Sequence, residues 1–155
     1  MKKLILVLMM LLIPASAFGV AAVVTSKVEV YEASESDARF LALVFSCVGH
    51  STGGAILDTA ISEKDSMKIR GWYVYRVIIE NLAANASVTD DSDVYIKDAS
   101  GTDLLNGQGV DMLDDDTRNY VRLCRKDPVL GILTLDVDNQ NVNSGKYTVT
   151  LILAK

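Results

Sequence analysis

Two segments near the C-terminus alternate apolar and polar residues, and this alternation limits the folds open to the chain more than any other feature. Residues 131–137 place two leucines and a valine at every second position, and residues 147–153 do the same with a tyrosine, a valine and two leucines. A period of two is typical of β-strands with one buried face. Residues 138–145 between them are polar and end in glycine, which is typical of a hairpin loop. The two segments therefore predict a β-hairpin.

Strand-like segments recur about every 10 to 20 residues in the rest of the chain. Those richest in β-branched, aromatic or alternating residues are residues 28–32, 40–48, 72–79, 93–97 and 119–124. The almost wholly apolar run 40–48 fits a strand buried on both faces or a short buried helix, and only residues 55–70 offer a further place for a helix. The chain is thus predicted to be all-β, with an antiparallel β-sandwich of jelly-roll or immunoglobulin-like type.

Two details bear on how these segments are arranged. In residues 72–79, simple alternation puts Arg76 on the same face as Trp72 and Val74, which predicts a strand with one wet end. Residues 98–101 combine a capping aspartate with a glycine that tolerates positive φ, and Asn106-Gly107 has similar chemistry, so both predict turns. Neither an internal repeat nor a low-complexity linker interrupts the sequence, and a single domain over residues 18–155 is expected.

The N-terminus has the three parts of a cleavable export signal. Two lysines precede an apolar run over residues 4–13, and a proline leads into Ala-Ser-Ala at residues 15–17. This order predicts a signal peptide over residues 1–17, cleaved before Phe18. An uncleaved anchor is the alternative, but a bilayer span needs roughly 20 apolar residues and this run is shorter. We expect an exported protein of the periplasm, cell surface or medium, with no stable membrane span after cleavage.

The charge balance argues against several kinds of partner. The chain has 15 lysines and arginines against 20 aspartates and glutamates, a formal net charge of −5. Loss of Lys2 and Lys3 with the signal takes this charge to −7. Phosphate backbones and anionic lipid surfaces repel such a protein. We therefore expect no nucleic-acid partner, and we expect a protein partner or self-assembly instead.

Two cysteines remain after the predicted cleavage, Cys47 and Cys124. An even number of cysteines in an exported chain predicts one disulfide between them. Both lie in apolar, strand-like segments, so a pair of separate buried thiols is the alternative.

The most suggestive catalytic motif is Gly49-His50-Ser51-Thr52-Gly53, which matches the G-x-S-x-G nucleophile turn of serine hydrolases. Ser51 would be the nucleophile. A triad in that chain order needs a histidine after the serine, but the single histidine is His50. Cys47 with His50, as a nucleophile and base or as metal ligands, lacks further partners in the same way. An ordinary loop after a strand explains the motif, and we expect no enzyme.

Aspartates cluster in three loop-like segments, at residues 90–93, 111–116 and 136–138. Oxygen ligands at short spacing are what calcium prefers. The weak metal candidates are Asp111, Asp114 and Asp116, although no segment has the spacing of an EF-hand. Solvated loops with capping aspartates are the simpler interpretation. We expect no cofactor, with calcium as the one alternative.

Four segments carry a resemblance to a known group of proteins: IRGWYVYRV, SDVYIKDASGTDLLNGQG, LDDDT and GILTLDVDNQNVNSGKYTVTLIL, in that order. With them, residues 69–155 resemble small β-sandwich proteins often encoded among phage and prophage structural genes. The resemblance implies a non-enzymatic structural or accessory role in a particle or surface assembly, and it transfers no site residues. The export signal departs from the pattern of virion proteins assembled inside the cell, and an exported relative of the same fold fits equally well.

Three functions from different classes follow from these features. The first is an exported, non-enzymatic structural or interaction protein of a surface or particle, which contacts a partner or its own copies through edge strands or loops. Its apolar C-terminal strand is either central in a sheet or an edge open to strand addition. The second is a small-ligand or calcium-dependent binding module that uses the aspartate-rich loops. The third and most remote is a serine hydrolase acting through Ser51.

Overall fold

Alternating side chains organise eight segments of the described chain into β-strands. The computed structural model describes residues 22–32, 39–82, 88, 92–113, 118–123 and 128–155, and the predicted signal peptide lies outside them. The elements are β1 (Val23–Glu32), β2 (Arg39–Val48), β3 (Thr59–Ala60), α1 (Glu63–Ile69), β4 (Tyr73–Asn81), β5 (Asp93–Lys97), β6 (Arg118–Arg122), β7 (Thr134–Asp138) and β8 (Lys146–Ala154).

The strands form two sheets. The larger sheet has the order β1-β2-β8-β4-β6 and the smaller sheet the order β3-β7-β5, and every strand pair in them is antiparallel. This confirms the prediction of a mostly antiparallel all-β fold. The jelly-roll or immunoglobulin-like type of sandwich stays a prediction.

One hydrophobic core draws on both sheets. Apolar residues at every second position of β2 and β8 are buried, and they share the core with apolar residues of β5 and β7. These residues are Leu41, Leu43, Phe45, Cys47, Tyr147, Val149, Leu151, Leu153, Val94, Ile96, Leu135 and Val137. Each fully buried aliphatic side chain stabilises the fold by about 1.5–3 kcal/mol relative to an exposed one, so the alternating pattern fixes which face of each strand turns inward.

Two apolar segments, residues 40–48 and the C-terminal strand, each allowed two interpretations from the sequence. Both are interior strands of the larger sheet. The run 40–48 is a strand, not a helix, and lies between β1 and β8. The C-terminal strand β8 is central, because it pairs with β2 on one side and β4 on the other. Within the described residues, β1 and β6 are the edges of the larger sheet.

The predicted hairpin over residues 131–153 is wrong. Strand β7 pairs with β5 and β3 in the smaller sheet, whereas β8 lies in the larger sheet. The connection between them crosses from one sheet to the other, with positive φ at Asn139 and Ser144. A period of two specifies which residues share a face, but it does not specify which strands pair.

A β-bulge in β4 corrects the predicted placement of Arg76. Val74 is opposite Leu153 and Arg76 is opposite Ile152, so Tyr75 is an extra residue in the register. The bulge reverses the alternation. Val74 is buried, while Tyr75 and Arg76 both lie on the outer face of the sheet. Arg76 therefore does not share a face with Val74.

The short helix α1 falls within residues 55–70, the further stretch in which the sequence allows a helix. Ser62 is its N-cap, and its hydroxyl accepts a 3.1 Å hydrogen bond from the backbone N–H of Asp65. Lys68 forms an ion pair with Asp65 at 2.7 Å one turn later. Ile69 is fully buried at the helix end, and Gly71 follows with a φ of 78°. The cap and one apolar anchor thus define a helix of two turns.

The structure does not support the predicted Cys47–Cys124 disulfide. Cys47 is a free, buried thiol on β2, and Cys124 lies outside the described residues. The end of β6 at Arg122 aligns across the sheet with Ala42, five residues along β2 from Cys47. Three strand spacings, roughly 14 Å, also separate β2 from β6, whereas the two Cα atoms of a disulfide lie within about 7 Å. The end of β6 is therefore displaced from Cys47 both along the strands and across the sheet.

Candidate functional site

The outer face of the larger sheet carries a cluster of aromatic and arginine side chains at the end where β4 begins. Strands β2, β4 and β6 each contribute to it, and the bulge in β4 adds one residue more than simple alternation allows. We name this surface the aromatic–arginine face; its members are Phe40, Tyr73, Tyr75, Arg76, Tyr120 and Arg122.

The arginines and tyrosines of this face are interleaved. The guanidinium carbon of Arg76 lies 6.0 Å from the ring centre of Tyr75 and 5.6 Å from that of Tyr120. Arg122 approaches Tyr75 at 5.7 Å from across the strand pair. The ring of Phe40 lies 6.3 Å from that of Tyr75 with an interplanar angle of 59°. Cation–π contacts at these distances hold long side chains in place on an open surface.

The tyrosines remain accessible despite these contacts. Tyr73 and Tyr75 are each 39% exposed and Tyr120 is 51% exposed. Tyrosine and arginine are the residue types that contribute most to binding free energy at protein–protein interfaces, since they offer large rigid contact areas and several hydrogen-bond donors. The face can therefore bind a protein surface with acidic or carbonyl acceptors.

The sequence motifs did not identify this face. Tyr120 and Arg122 alternate with the buried Val121, and this period-two pattern could have indicated their outward direction. Nothing in the sequence located the bulge that brings Tyr75 and Arg76 out together. Their contribution is visible only from the register of β4 with β8.

A second polar surface lies on the outer face of the smaller sheet. Lys97 on β5 forms an ion pair with Asp136 on β7, and Asp58 lies close enough to hydrogen-bond to Asp136. Partial loss of solvation raises the pKa of Asp58 above its ordinary value of 3.8, and the neighbouring Asp136 raises it further. The hydrogen bond to Asp136 raises the pKa of Lys97. This arrangement is a carboxylate pair shared by one cation.

Asp93, in the first of the aspartate-rich segments, is engaged by donors of the protein. Asp93 accepts a 2.9 Å hydrogen bond from the backbone N–H of Asp111 and another of 2.9 Å from the side-chain amide of Asn139. Of the predicted metal candidates, Asp111 is an exposed turn residue with a φ of 54°, while Asp114 and Asp116 lie outside the described residues. In the described part of the chain, no group of three or more His, Cys, Asp or Glu residues is arranged to hold a metal ion.

The Gly49–Gly53 turn is built into the fold as a loop. The imidazole Nδ1 of His50 lies 3.0 Å from the backbone N–H of Thr52, and Gly53 donates a 2.6 Å hydrogen bond to the side chain of Asn143. No helix follows the turn directly, since α1 begins only at Glu63. The turn therefore does not reproduce the strand-to-helix geometry that exposes the nucleophile in serine hydrolases. Within the described residues, no hydrogen bond joins Ser51 to a histidine that could act as its base.

A buried polar pair lies between β2 and β8. Cys47 and Tyr147 are cross-strand partners, and the hydroxyl of Tyr147 has no hydrogen bond of ordinary geometry within the described residues. Burial raises the pKa of the Cys47 thiol to about 12 and also raises the pKa of Tyr147. A thiol in this state is neutral and unreactive, so the pair belongs to the core.

Comparison of the chain with protein-family models, with curated proteins and with solved structures finds no match. Among the residues that the structure describes, no helix has the length and apolar character needed to cross a membrane.

Proposed function

We propose that this protein is an exported, non-enzymatic interaction protein that binds a protein partner through its aromatic–arginine face. The observation that carries the proposal is the interleaving of Arg76 and Arg122 with exposed tyrosines on the outer face of an otherwise well-packed sheet. A contiguous patch of exposed aromatic rings is typical of an interaction surface, because the rings supply binding free energy when a partner covers them.

The chemistry of the face favours a protein partner over other classes. Its cations are two arginines on a chain of net charge −5, so the long-range field repels nucleic acid while the local charge attracts carboxylates. Arginine binds carboxylates in a bidentate manner, and tyrosine donates a hydrogen bond from an apolar ring. A partner with acidic side chains around an apolar centre complements this surface.

The export signal predicted over residues 1–17 and the resemblance of residues 69–155 to small phage-related sandwich proteins favour a role in a surface or particle assembly. A structural or accessory protein of this kind works by contact and needs no active site. The engaged carboxylate of Asp93 and the turn around Ser51 are consistent with such a role.

Site-specific photocrosslinking in the cells that produce the protein tests this proposal. Tyr120 is replaced by p-benzoylphenylalanine, which preserves an aromatic ring at an exposed position of the face. The matched control carries the same label at Leu57, which is 83% exposed on the connection that leads to β3. We expect a discrete crosslinked product from position 120 that is absent from position 57. Equal yields, or no product from either position, would contradict the proposal.

A further inference from the structure

Within the described residues, strand β1 is an edge of the larger sheet, and α1 approaches it. All ten of its residues pair with β2 in an unbroken register, from Val23 opposite Val48 to Glu32 opposite Arg39. Among the described residues, no other strand pairs with β1. Every second residue of β1 therefore directs its backbone N–H and C=O away from the sheet.

Natural proteins protect such an edge by shortening the strand, bending it with a bulge, placing proline or charged side chains on it, or covering it with a helix or loop. Strand β1 is ten residues long, contains neither proline nor glycine, and has a continuous register with β2, so its own protection is limited to charged side chains. Its charged side chains near the centre are Lys27, which is 74% exposed, and Glu29, which is 37% exposed. Both lie on the outer face, because they are cross-strand partners of Val44 and Ala42. An edge of this length is suited to strand addition.

The sequence of β1 is complementary to itself. In an antiparallel pair of two copies centred on Val28, Lys27 of each copy lies opposite Glu29 of the other, which gives two cross-strand pairs of opposite charge. A shift by two residues in either direction places Lys27 against Lys27 or Glu29 against Glu29, and like charges in these positions destabilise a pair. A shift by one residue reverses the faces of the strand. Only the register centred on Val28 satisfies both conditions with nearly full overlap.

An apolar contact favours the same register. Val30 is opposite the buried Leu41 and so lies on the inner face, yet it is 68% exposed. In the symmetric pair its direct neighbour is Ser26 of the second copy, and Val24 and Val28 of that copy are diagonal to it. These neighbours remove part of the Val30 side chain from water.

We infer that a second copy of this chain pairs with β1 about a two-fold axis at Val28, so that two larger sheets join into one of ten strands. The inference extends the proposed interaction role to a second surface and does not depend on the aromatic–arginine face. A two-fold axis perpendicular to the sheet leaves both aromatic–arginine faces on the same side. They lie roughly 34 Å apart, since seven strand spacings of about 4.8 Å separate β4 from its copy. The dimer thus presents two binding faces to one partner assembly, which raises its avidity.

Charge reversal with mixing tests this inference by sedimentation equilibrium of the exported, processed protein. Lys27→Glu alone makes positions 27 and 29 both negative, and Glu29→Lys alone makes both positive. Each variant repels its own copy, and we expect its dimer dissociation constant to rise about tenfold. In an equimolar mixture, the two negative positions of one variant lie opposite the two positive positions of the other. We therefore expect the mixture to dimerise as tightly as the unaltered protein.

The mixture distinguishes a loss of dimerisation from a loss of folding. Each variant carries two like charges within its own β1, and mixing the variants changes nothing inside either monomer. Lys146→Glu, on the exposed start of β8, is the matched control and is expected to leave the dissociation constant unchanged. Two results would overturn the inference: an unaltered protein that stays monomeric, or a mixture that dimerises no better than its components. Crosslinking from position 120 is read separately, so a failure of either proposal leaves the other interpretable.

Discussion

Arg76 on β4 lies directly opposite Arg122 on β6, and the ring of Tyr75 contacts both guanidinium groups. Two like charges in direct cross-strand register destabilise a sheet unless something offsets their repulsion. The negative ring faces of Tyr75 and Tyr120 provide that offset. The sheet thus maintains a concentrated positive charge at an accessible surface, and this arrangement is the centre of the proposed binding face.

Arg122→Gln is predicted to weaken binding while leaving the free energy of unfolding nearly unchanged. The substitution relieves the like-charge pair but loses the contact with Tyr75, and each effect amounts to about 0.5–1 kcal/mol. We expect the free energy of unfolding, measured by urea denaturation, to change by less than about 0.5 kcal/mol. The crosslinking yield from position 120 should fall severalfold. Ser46→Ala, at the other end of the outer face, should alter neither quantity, and an unchanged yield in Arg122→Gln would count against the binding role of the arginines.

Lys97→Met is predicted to destabilise the smaller sheet. The Asp136 side chain is 9% exposed, and loss of its cation leaves a largely buried carboxylate next to Asp58. Removal of one partner from a fully buried pair costs about 3–5 kcal/mol. Because the Lys97 side chain is 34% exposed, water screens the remaining carboxylate, and we expect a loss in the free energy of unfolding that is measurable but smaller than in a fully buried pair.

The control for this prediction is Lys64→Met on the exposed side of α1, which should change stability by no more than about 0.5 kcal/mol. A double variant that also carries Asp136→Asn should recover part of the loss, because it removes the uncompensated charge. If Lys97→Met were as stable as the control, the ion pair would not support the sheet.

Asp58→Asn is predicted to change how stability depends on pH. The pKa of Asp58 is higher in the folded protein than its ordinary value of 3.8. The contribution of Asp58 to stability is therefore fully present below pH 3.8. It is lost as the pH rises through the raised folded-state pKa. At neutral pH the charged Asp58 therefore lowers stability, and the amide removes that cost. We expect a higher melting temperature than the unaltered protein at pH 7 and no difference at pH 3. A variant whose melting temperature is lower at pH 7 would show that Asp58 stabilises the fold as a carboxylate.

Cys47 is predicted to be inert in the folded protein and reactive after unfolding. Burial raises the pKa of its thiol to about 12, and only the thiolate attacks alkylating reagents. Iodoacetamide at pH 8 should leave Cys47 unmodified in native protein, while the same reagent in denaturant without reductant should modify it fully. Glutathione in a separate, parallel reaction reports that the reagent is active. Absence of labelling in the unfolded, unreduced protein would place Cys47 in a disulfide.

The elements that local chemistry determines were predictable from the sequence. Strand β5 spans residues 93–97 as expected, and Gly101 and the pair Asn106-Gly107 adopt the positive φ values that their turns require. Helix α1 lies within residues 55–70, the further stretch in which the sequence allows a helix. In each case neighbouring residues alone decide the conformation.

The features that depend on pairing were not predictable. Alternation over residues 131–153 gave the correct buried faces, but the partner of β7 is β5 and not β8. The bulge at Tyr75 changes the face of Arg76, and the aromatic–arginine face exists only because of it. The expected disulfide was inferred from an even number of cysteines, and the order of strands in the sheet separates Cys47 from the end of β6. Register and strand order arise from the whole chain, so they cannot be read from any one segment.

Hydroxyl-radical footprinting measures the accessibility of unaltered side chains and so shows whether a partner covers the aromatic–arginine face. The protein is labelled once as dilute purified material and once in its native setting on the cells or particles that carry it, and oxidation is quantified at Tyr75, Tyr120 and Leu57. We expect both tyrosines to be oxidised in the purified protein and protected in the native setting, while Leu57 is oxidised equally in both. Equal oxidation of the tyrosines in the two settings would contradict the claim that a partner covers the aromatic–arginine face.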